Sequence, residues 1–250
     1  MLKPVLALAL ALFAWPAAAA EIKVLTTGAY KPVVVELAPL FEKATGHKVA
    51  IDNDTAGGVA RRVEGGEAFD VLALTPAGLA DLARKGRVAA EAPVNLAKVG
   101  IGVAVKEGAP APDIATADAF RRALLDARRV AMIDPASGGS SGIYLMGLFD
   151  RWGITDAIKA KAVLVPGGLV ATRVVSGEAD LAIHQVSEIL AVKGAVLVGP
   201  LPAEIQNYTV YAGGISATTG QPEAARAFLK MLAGPDAAAV LSGKGMMPAN

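Results

Sequence analysis

Asp134-Pro135-Ala136-Ser137-Gly138-Gly139-Ser140-Ser141-Gly142 follows the apolar run Val130 to Ile133 and leads into Ile143-Tyr144-Leu145-Met146-Gly147-Leu148-Phe149-Asp150-Arg151-Trp152. Apolar residues at 145, 148, 149 and 152 have the spacing of one helix face. The stretch therefore reads as a strand, a glycine- and serine-rich loop and a helix. Such a junction leaves unpaired backbone N–H groups aimed at one point, where the helix dipole favours negative charge. Ser137, Ser140 and Ser141 add neutral hydroxyl donors. Serine and glycine are also ordinary capping residues, so one loop of this kind proves no ligand. Repetition along the chain changes the weight of the observation.

The same construction recurs on both sides. Ile22 to Leu25 reads as a strand, followed by Thr26-Thr27-Gly28-Ala29-Tyr30 and a helix from Pro32 to the stop at Gly46. Val49 to Ile51 is the next strand, and Asp52 to Gly58 opens a helix carrying Val59, Arg61, Arg62 and Val63. A third strand, Asp70 to Leu74, runs into Thr75-Pro76 and another helix. After a Pro/Ala-rich excursion at Gly108 to Pro112 a second series begins, with a helix near Asp118 to Ala127 and then the stretch quoted above. Ala162 to Val165 leads to Pro166-Gly167-Gly168 and a helix, and Asp180 to Ile183 delivers His184-Gln185 at its end. A short helix at Ser187 to Val192, a strand at Ala195 to Val198 and helices at 221–233 and 235–241 complete the pattern. Strands alternating with helices at this spacing predict parallel βαβ units. Two such series predict two lobes with a cleft between the C-terminal ends of their strands. The long apolar runs at 99–105 and 208–216 are the expected lobe-crossing strands.

The first twenty residues have another purpose. Lys3, the apolar run Val5 to Trp15 and Ala18-Ala19-Ala20 have the order of a secretory signal peptide, with cleavage expected after Ala20. The run is too short for a membrane span, and Pro16 interrupts it. The expected organisation is a signal peptide at 1–20, a first lobe from 21–100 plus 208–250, and a second lobe from 101–207. Without Lys3 the chain has 23 basic and 23 acidic residues, a balance that argues against a nucleic-acid partner. An exported chain of this length with no cysteine builds its core without disulfides.

Four neutral loops form the candidate binding set: Thr26-Thr27-Gly28, Thr55-Ala56-Gly57-Gly58, Ser137 to Ser141, and Gly167-Gly168. None contains Lys or Arg, so an anion would be held by N–H and O–H donors and helix dipoles. Gly138 to Gly142 also matches the hydrolase pattern G-x-S-x-G, with Ser140, Asp180 and His184 in a permitted chain order. Ser140, however, lies several residues beyond Ile133, and Asp180 stands four residues before His184 on one strand, roughly 13 Å away. That spacing gives no triad. The two histidines, His47 and His184, are far apart and have no cysteine or paired-histidine neighbours, so neither a metal nor another cofactor is expected. Arg61 and Arg62 read first as a solvated face, and Arg61 reaching the cleft is the lesser reading.

The chain resembles the periplasmic solute-binding proteins of ABC importers, and within them the molybdate-binding (ModA-like) group. The resemblance lies in Leu40 to Val49, Gly58 to Gly66 with Phe69-Asp70-Val71, Asp134 through Tyr144, and Phe228 to Leu241 with Gly245 and Pro248. It implies the type II fold: α/β, two lobes, each a mixed sheet flanked by helices, with two crossover strands as hinge. It also implies a monomer in the periplasm that is not an enzyme, captures a small anionic solute such as a molybdate-like oxyanion, and delivers it to a membrane permease. The group's two ligand serines correspond to Ala29 and to Ala56 or its neighbour Thr55. Its backbone contacts fall near Ser141 and Gly168, and its tyrosine corresponds to His184. Hydroxyls of Thr27, Thr55, Ser140 and Ser141 stand near the altered positions. The expected ligand-binding residues are Thr27, Gly28, Ala29, Thr55, Ala56, Gly57, Ser140, Ser141, Gly168 and His184. A small organic carboxylate, or a sensory role beside a membrane receptor, is the alternative; an exported serine hydrolase is the weakest reading.

Overall fold

The computed structural model describes residues 19–249; the expected signal peptide lies almost wholly outside them. The first half alternates β1 (Glu21–Thr27), α1 (Lys31–Thr45), β2 (Lys48–Asp54), α2 (Ala56–Glu64), β3 (Val71–Leu74) and α3 (Pro76–Arg84) before the long β4 (Val94–Lys106). The second half runs through α4 (Ala117–Asp126), β5 (Val130–Ile133), α5 (Ser140–Trp152), α6 (Thr155–Lys159), β6 (Ala162–Val165), α7 (Thr172–Val175), β7 (Leu181–Gln185), α8 (Val186–Leu190) and β8 (Ala195–Pro200). The chain then returns through β9 (Tyr208–Ile215), α9 (Pro222–Leu232), α10 (Pro235–Gly243) and β10 (Met246–Pro248).

Helix starts follow local chemistry. Thr55 and Thr75 each accept a hydrogen bond from the backbone N–H three residues on, capping α2 and α3. Pro32 and Pro76 sit in first turns, where a missing N–H costs nothing. Gly46 ends α1 in the left-handed conformation, with φ of 78°. In the second half, a 3-10 turn at Pro135–Ser137 and the left-handed Gly138 fold the serine-rich loop back, so that α5 starts at Ser140 itself. The sequence pattern left Ser140 and Ser141 in a loop; the structure makes them its first helical turn.

The strands form one continuous path, β2-β1-β3-β9-β4-β7-β5-β6, with β10 and β8 also paired to β4. β1 is parallel to β2 and β3, and β5 is parallel to β6 and β7. β1 is covered on both faces: Ile22 and Val24 enter one apolar cluster with α1 and α9, while Leu25 enters another with α2 and α3. The β5 region is likewise enclosed between two clusters. These near-continuous apolar runs are what a two-sided parallel sheet requires.

β4 joins the halves. Residues Val94 to Gly100 pair with β9, and Ile101 to Ala104 pair with β7. β9, expected to cross as 208–216, starts opposite Gly100 and stays wholly with the first half. The return crossing lies just ahead of it. There the Gln206 amide accepts from the Ile101 N–H at 2.8 Å and donates to the Ile101 carbonyl at 2.9 Å, which makes a side chain serve as a strand neighbour. Gln206→Ala should leave the Ile101 N–H unpaired and cost about 1–3 kcal/mol. Urea unfolding measures this, and an unchanged midpoint would show that the strand ladder alone fixes the crossing.

Candidate functional site

The C-terminal ends of β1, β2, β5 and β7 converge where the halves face each other. They enclose a cavity of about 30 Å3. The first half contributes Thr27, Gly28 and Ala29 after β1, Asp54, Thr55 and Ala56 at the start of α2, and Tyr211 from β9. From the second half come Ile133, Gly139, Ser140, Ser141, Gly168, His184, Gln185 and Glu188. Nine of the ten sequence-expected residues therefore meet at one place. Gly57 does not line the cavity. It lies at the seam above it, where its N–H donates to the Gly138 carbonyl at 3.1 Å. A Cβ on Gly57 would come within 2.7 Å of the Gly138 Cα, so only glycine fits there. Thr55 Oγ1 and Arg61 Nη2 both donate to the Ser137 carbonyl, at 2.6 and 3.0 Å, and close the halves over the cavity. Arg61 thus reaches the cleft, as the lesser sequence reading had it.

A far larger cavity, about 730 Å3, lies on the outer side of the second half between α4 and the 109–113 excursion. The small cavity is the candidate site because the unusual polar chemistry is there. Thr27 Oγ1, His184 Nδ1 and Gln185 Oε1 are buried beside it without hydrogen-bond partners, and unsatisfied buried groups are rare without a reason. No Lys or Arg lines it. The N-terminal turns of α2 and α5 open onto it, so its positive character comes from N–H groups and hydroxyls.

His184 and Glu188 are the titratable centre. His184 is the last residue but one of β7 and Glu188 lies in the first turn of α8, which brings His184 Nε2 to 3.3 Å from Glu188 Oε2 with both side chains buried. Burial pushes the Glu188 carboxyl up to about 8 and the His184 imidazole down to about 3. At neutral pH the couple therefore carries a carboxyl proton and no net charge. Burial, with a smaller contribution from Glu188, also holds the Tyr211 phenol well above its ordinary range.

The hydrolase reading finds no support in this arrangement. Asp180 precedes β7 and pairs with Arg128 at 2.6 Å, so Glu188, not Asp180, stands beside His184. Sequence reasoning missed Glu188, Gln185, Tyr211, Asp54 and Ile133 as cavity residues, while Gly139 belongs to the expected Ser137 to Ser141 loop. For Glu188 a signal existed: His184-Gln185-Val186-Ser187-Glu188-Ile189-Leu190 places an acid four residues after a histidine in an otherwise apolar run. Among the described residues no cluster of His, Cys, Asp and Glu has the makings of a metal site.

This chain belongs to the family of bacterial extracellular solute-binding proteins, whose model matches residues 22–247. Membership carries a small solute as ligand, a typically periplasmic location and, in general, an ABC permease as partner. The fold is that of the type II periplasmic binding proteins. It is similar to the periplasmic molybdate-binding protein of Azotobacter vinelandii (TM-score 0.76, 21% identity, covering 92% of this chain and 100% of that one). It is also similar to the sulfate-binding protein SubI of Mycobacterium tuberculosis H37Rv (TM-score 0.72, 21% identity, covering 92% of this chain and 88% of that one). Among the described residues no helix is long and apolar enough to cross a membrane.

One comparison corrects the sequence reading. A protein of a Pseudomonas species, 38% identical over 98% of this chain and 96% of its own length, is named aconitate isomerase. The expectation that the chain is not an enzyme does not survive a relative this similar that is one.

The couple gives stability a definite pH dependence. Between pH 4.5 and 8 folded Glu188 keeps a proton that the unfolded chain releases, so its contribution falls as pH rises. His184 acts in the opposite sense from pH 3 to 6.5, where the unfolded chain is protonated and the folded one is not. The two oppose each other in the overlap, and above pH 6.5 only the fall from Glu188 remains. Wild type should therefore lose about 1 kcal/mol per pH unit between 6.5 and 8 relative to Glu188→Gln. Unfolding free energies at the two pH values test this, and equal slopes would place the proton elsewhere.

Proposed function

We propose that this chain is an exported isomerase of small unsaturated polycarboxylates of the aconitate class, using a solute-binding cleft to hold the substrate and the Glu188–His184 couple to move a proton along it. The observation that carries the reading is that couple: one exchangeable proton, buried at the floor of an anion-type cavity. Capture of an oxyanion requires donors alone and has no use for a proton carrier.

The chemistry needs nothing further. Aconitate has a methylene between a carboxylate and a carbon–carbon double bond. Removing one of its protons leaves an allylic carbanion delocalised over the chain and its carboxylates. Returning a proton to the former vinylic carbon moves the double bond one place. Because the carbon skeleton is the same from either end, that shift interconverts cis and trans forms without rotation about a double bond. In this reading the unpartnered His184 Nδ1 accepts the methylene proton while Glu188 donates its own. The imidazolium then returns its Nε2 proton to the carboxylate across the 3.3 Å gap, which leaves neutral His184 as the Nδ1–H tautomer, and exchange of that proton with solvent after product release resets the couple. Its neutrality also matters for binding, because an ionised Glu188 would repel an anionic substrate. The N–H and hydroxyl donors of Thr27, Ser140 and Ser141 hold the carboxylates, with Thr55, Ala29, Ala56, Gly28 and Gly168 lining the rest. The lobes part about the β4 crossing to admit a ligand larger than the cavity of about 30 Å3, and close on it. The chain acts as a monomer in the periplasm after cleavage behind Ala20.

A second reading rests on the cavity's size. About 30 Å3 edged by neutral hydroxyls suits a compact tetrahedral oxyanion handed on to an ABC permease. Purified residues 21–250, incubated with cis- or trans-aconitate and followed by proton NMR, separate the two. Interconversion is expected, with Glu188→Gln lowering kcat by roughly 10²–10⁴-fold and changing KM little. A chain inert toward both isomers, yet thermally stabilised by molybdate or sulfate, would sink the isomerase and favour the receptor.

A further inference from the structure

α8 follows β7 in the second half of the chain, yet it is fastened to the first half. Val186 belongs to the apolar cluster built by α1, α9 and β1, and a Cβ on Gly245 would come within 2.5 Å of it. The buried Ser187 hydroxyl donates to the Ala29 carbonyl at 2.8 Å, across 158 residues of chain. Next to that contact, a Cβ on Gly28 would lie 2.5 Å from Glu188 Oε1 and 3.4 Å from its carboxyl carbon. The loop after β1 is thus shaped around α8: one carbonyl receives its hydroxyl, and one missing side chain makes room for its carboxyl. His184, the other member of the couple, pairs with Gly102, one residue from the point where β4 changes sheets.

From these contacts we propose that Ser187 and Gly28 are positioning residues, with Ser187 tying α8 to the Ala29 carbonyl and Gly28 providing the seat that keeps the Glu188 carboxyl beside His184 whichever way the lobes stand. The proposal rests on the isomerase reading for its consequence but not for its geometry. The couple sits at the hinge, where displacement on opening is smallest, whereas Thr55, Ser140 and Ser141 come from the lips, where it is largest. Proton-transfer groups are therefore in place before closure, and closing brings up the donors that hold the carboxylates. The groups facing Glu188 are His184 from β7, Tyr211 from β9 and Asp54 at the end of β2.

The test measures turnover and the carboxyl itself. For Ser187→Ala, kcat for aconitate should fall by at least about tenfold, because misplacing a reacting group by about 1 Å can cost about a hundredfold. KM should change little, and Ser187→Thr, which keeps the hydroxyl, should recover most of the loss. In parallel, the Glu188 side-chain carbonyl is titrated by 13C NMR without substrate in wild type, Ser187→Ala and Gly28→Ala, each checked for folding by circular dichroism. Both variants should titrate at lower pH than wild type as the carboxyl leaves its seat and gains water. Unchanged kcat and an unchanged titration in Ser187→Ala would overturn the proposal, and would do so even if Gly28→Ala failed to fold. If wild type proves inert toward aconitate, the isomerase reading fails while the titration still decides the positioning.

Discussion

A strand shared by two sheets must satisfy two sets of neighbours, and β4 does this by exchanging partners between Gly100 and Ile101. On one side its register is set by Tyr208 and the rest of β9; on the other it is set by Gln185 and His184 of β7. Whatever else the chain does, these two ladders fix how the C-terminal edge of the first sheet faces that of the second. Gln206 belongs to the same constraint. Its amide completes the hydrogen bonding of Ile101 where no strand does, and a Cβ on Gly100 would come within 3.0 Å of it. The crossing thus has a fixed register, braced by Gln206 on Ile101 and by the Gln185 amide, which donates to Thr209 Oγ1 at 2.8 Å.

From that geometry the electrostatics of the cavity follow. Helices leaving the cleft edge of each sheet present N-terminal turns toward the gap, and two such ends together offer about one positive charge in dipole form. A buried cation would have cost several kcal/mol in lost hydration unless paired. Neutral donors avoid that cost and release a ligand readily. The same low-polarity setting keeps Glu188 protonated and His184 unprotonated. Neutral donors at the cavity and a protonated carboxyl therefore share one physical setting, a seam sealed by Gly57 against Gly138 and by Thr55 and Arg61 on the Ser137 carbonyl.

Much of this was legible in the sequence, for reasons that separate local from tertiary information. Thr55, Thr75, Pro32, Pro76 and Gly46 act on their own helices, so their type and spacing reveal where helices start and stop. The loops after β1, β2 and β5 were legible because the same glycine- and hydroxyl-bearing strand-to-helix junction recurs along the chain. Glu188 was not, since nothing local distinguishes an acid on a solvated helix from one buried against Gly28; only the packing of α8 on the first half decides that. Tyr211 was hidden for the same reason, as one aromatic in an apolar strand. The crossing assigned to 208–216 was misplaced by a few residues because a long apolar run shows that a strand is buried, not which sheet it joins. The absence of a recognised catalytic pattern was the poorest guide. G-x-S-x-G was present without a triad, while the buried His184–Glu188 pair matched no motif.

That last contrast bears on how a binding fold acquires a reaction. Thr27, Ser140 and Ser141 are donors of the kind any anion receptor needs, and nothing about them distinguishes capture from catalysis. On the isomerase reading the distinction enters through a single acid that burial keeps protonated at neutral pH, beside an imidazole that burial keeps neutral. A carboxyl that is to keep its proton at neutral pH needs fixed neighbours that exclude water. A short helix that leaves one half of the molecule and is fastened to the other at Ser187 and Val186 meets that requirement. There Gly28 and Ser187 hold α8 against the loop after β1, and the Glu188 carboxyl stays out of water, 3.3 Å from His184.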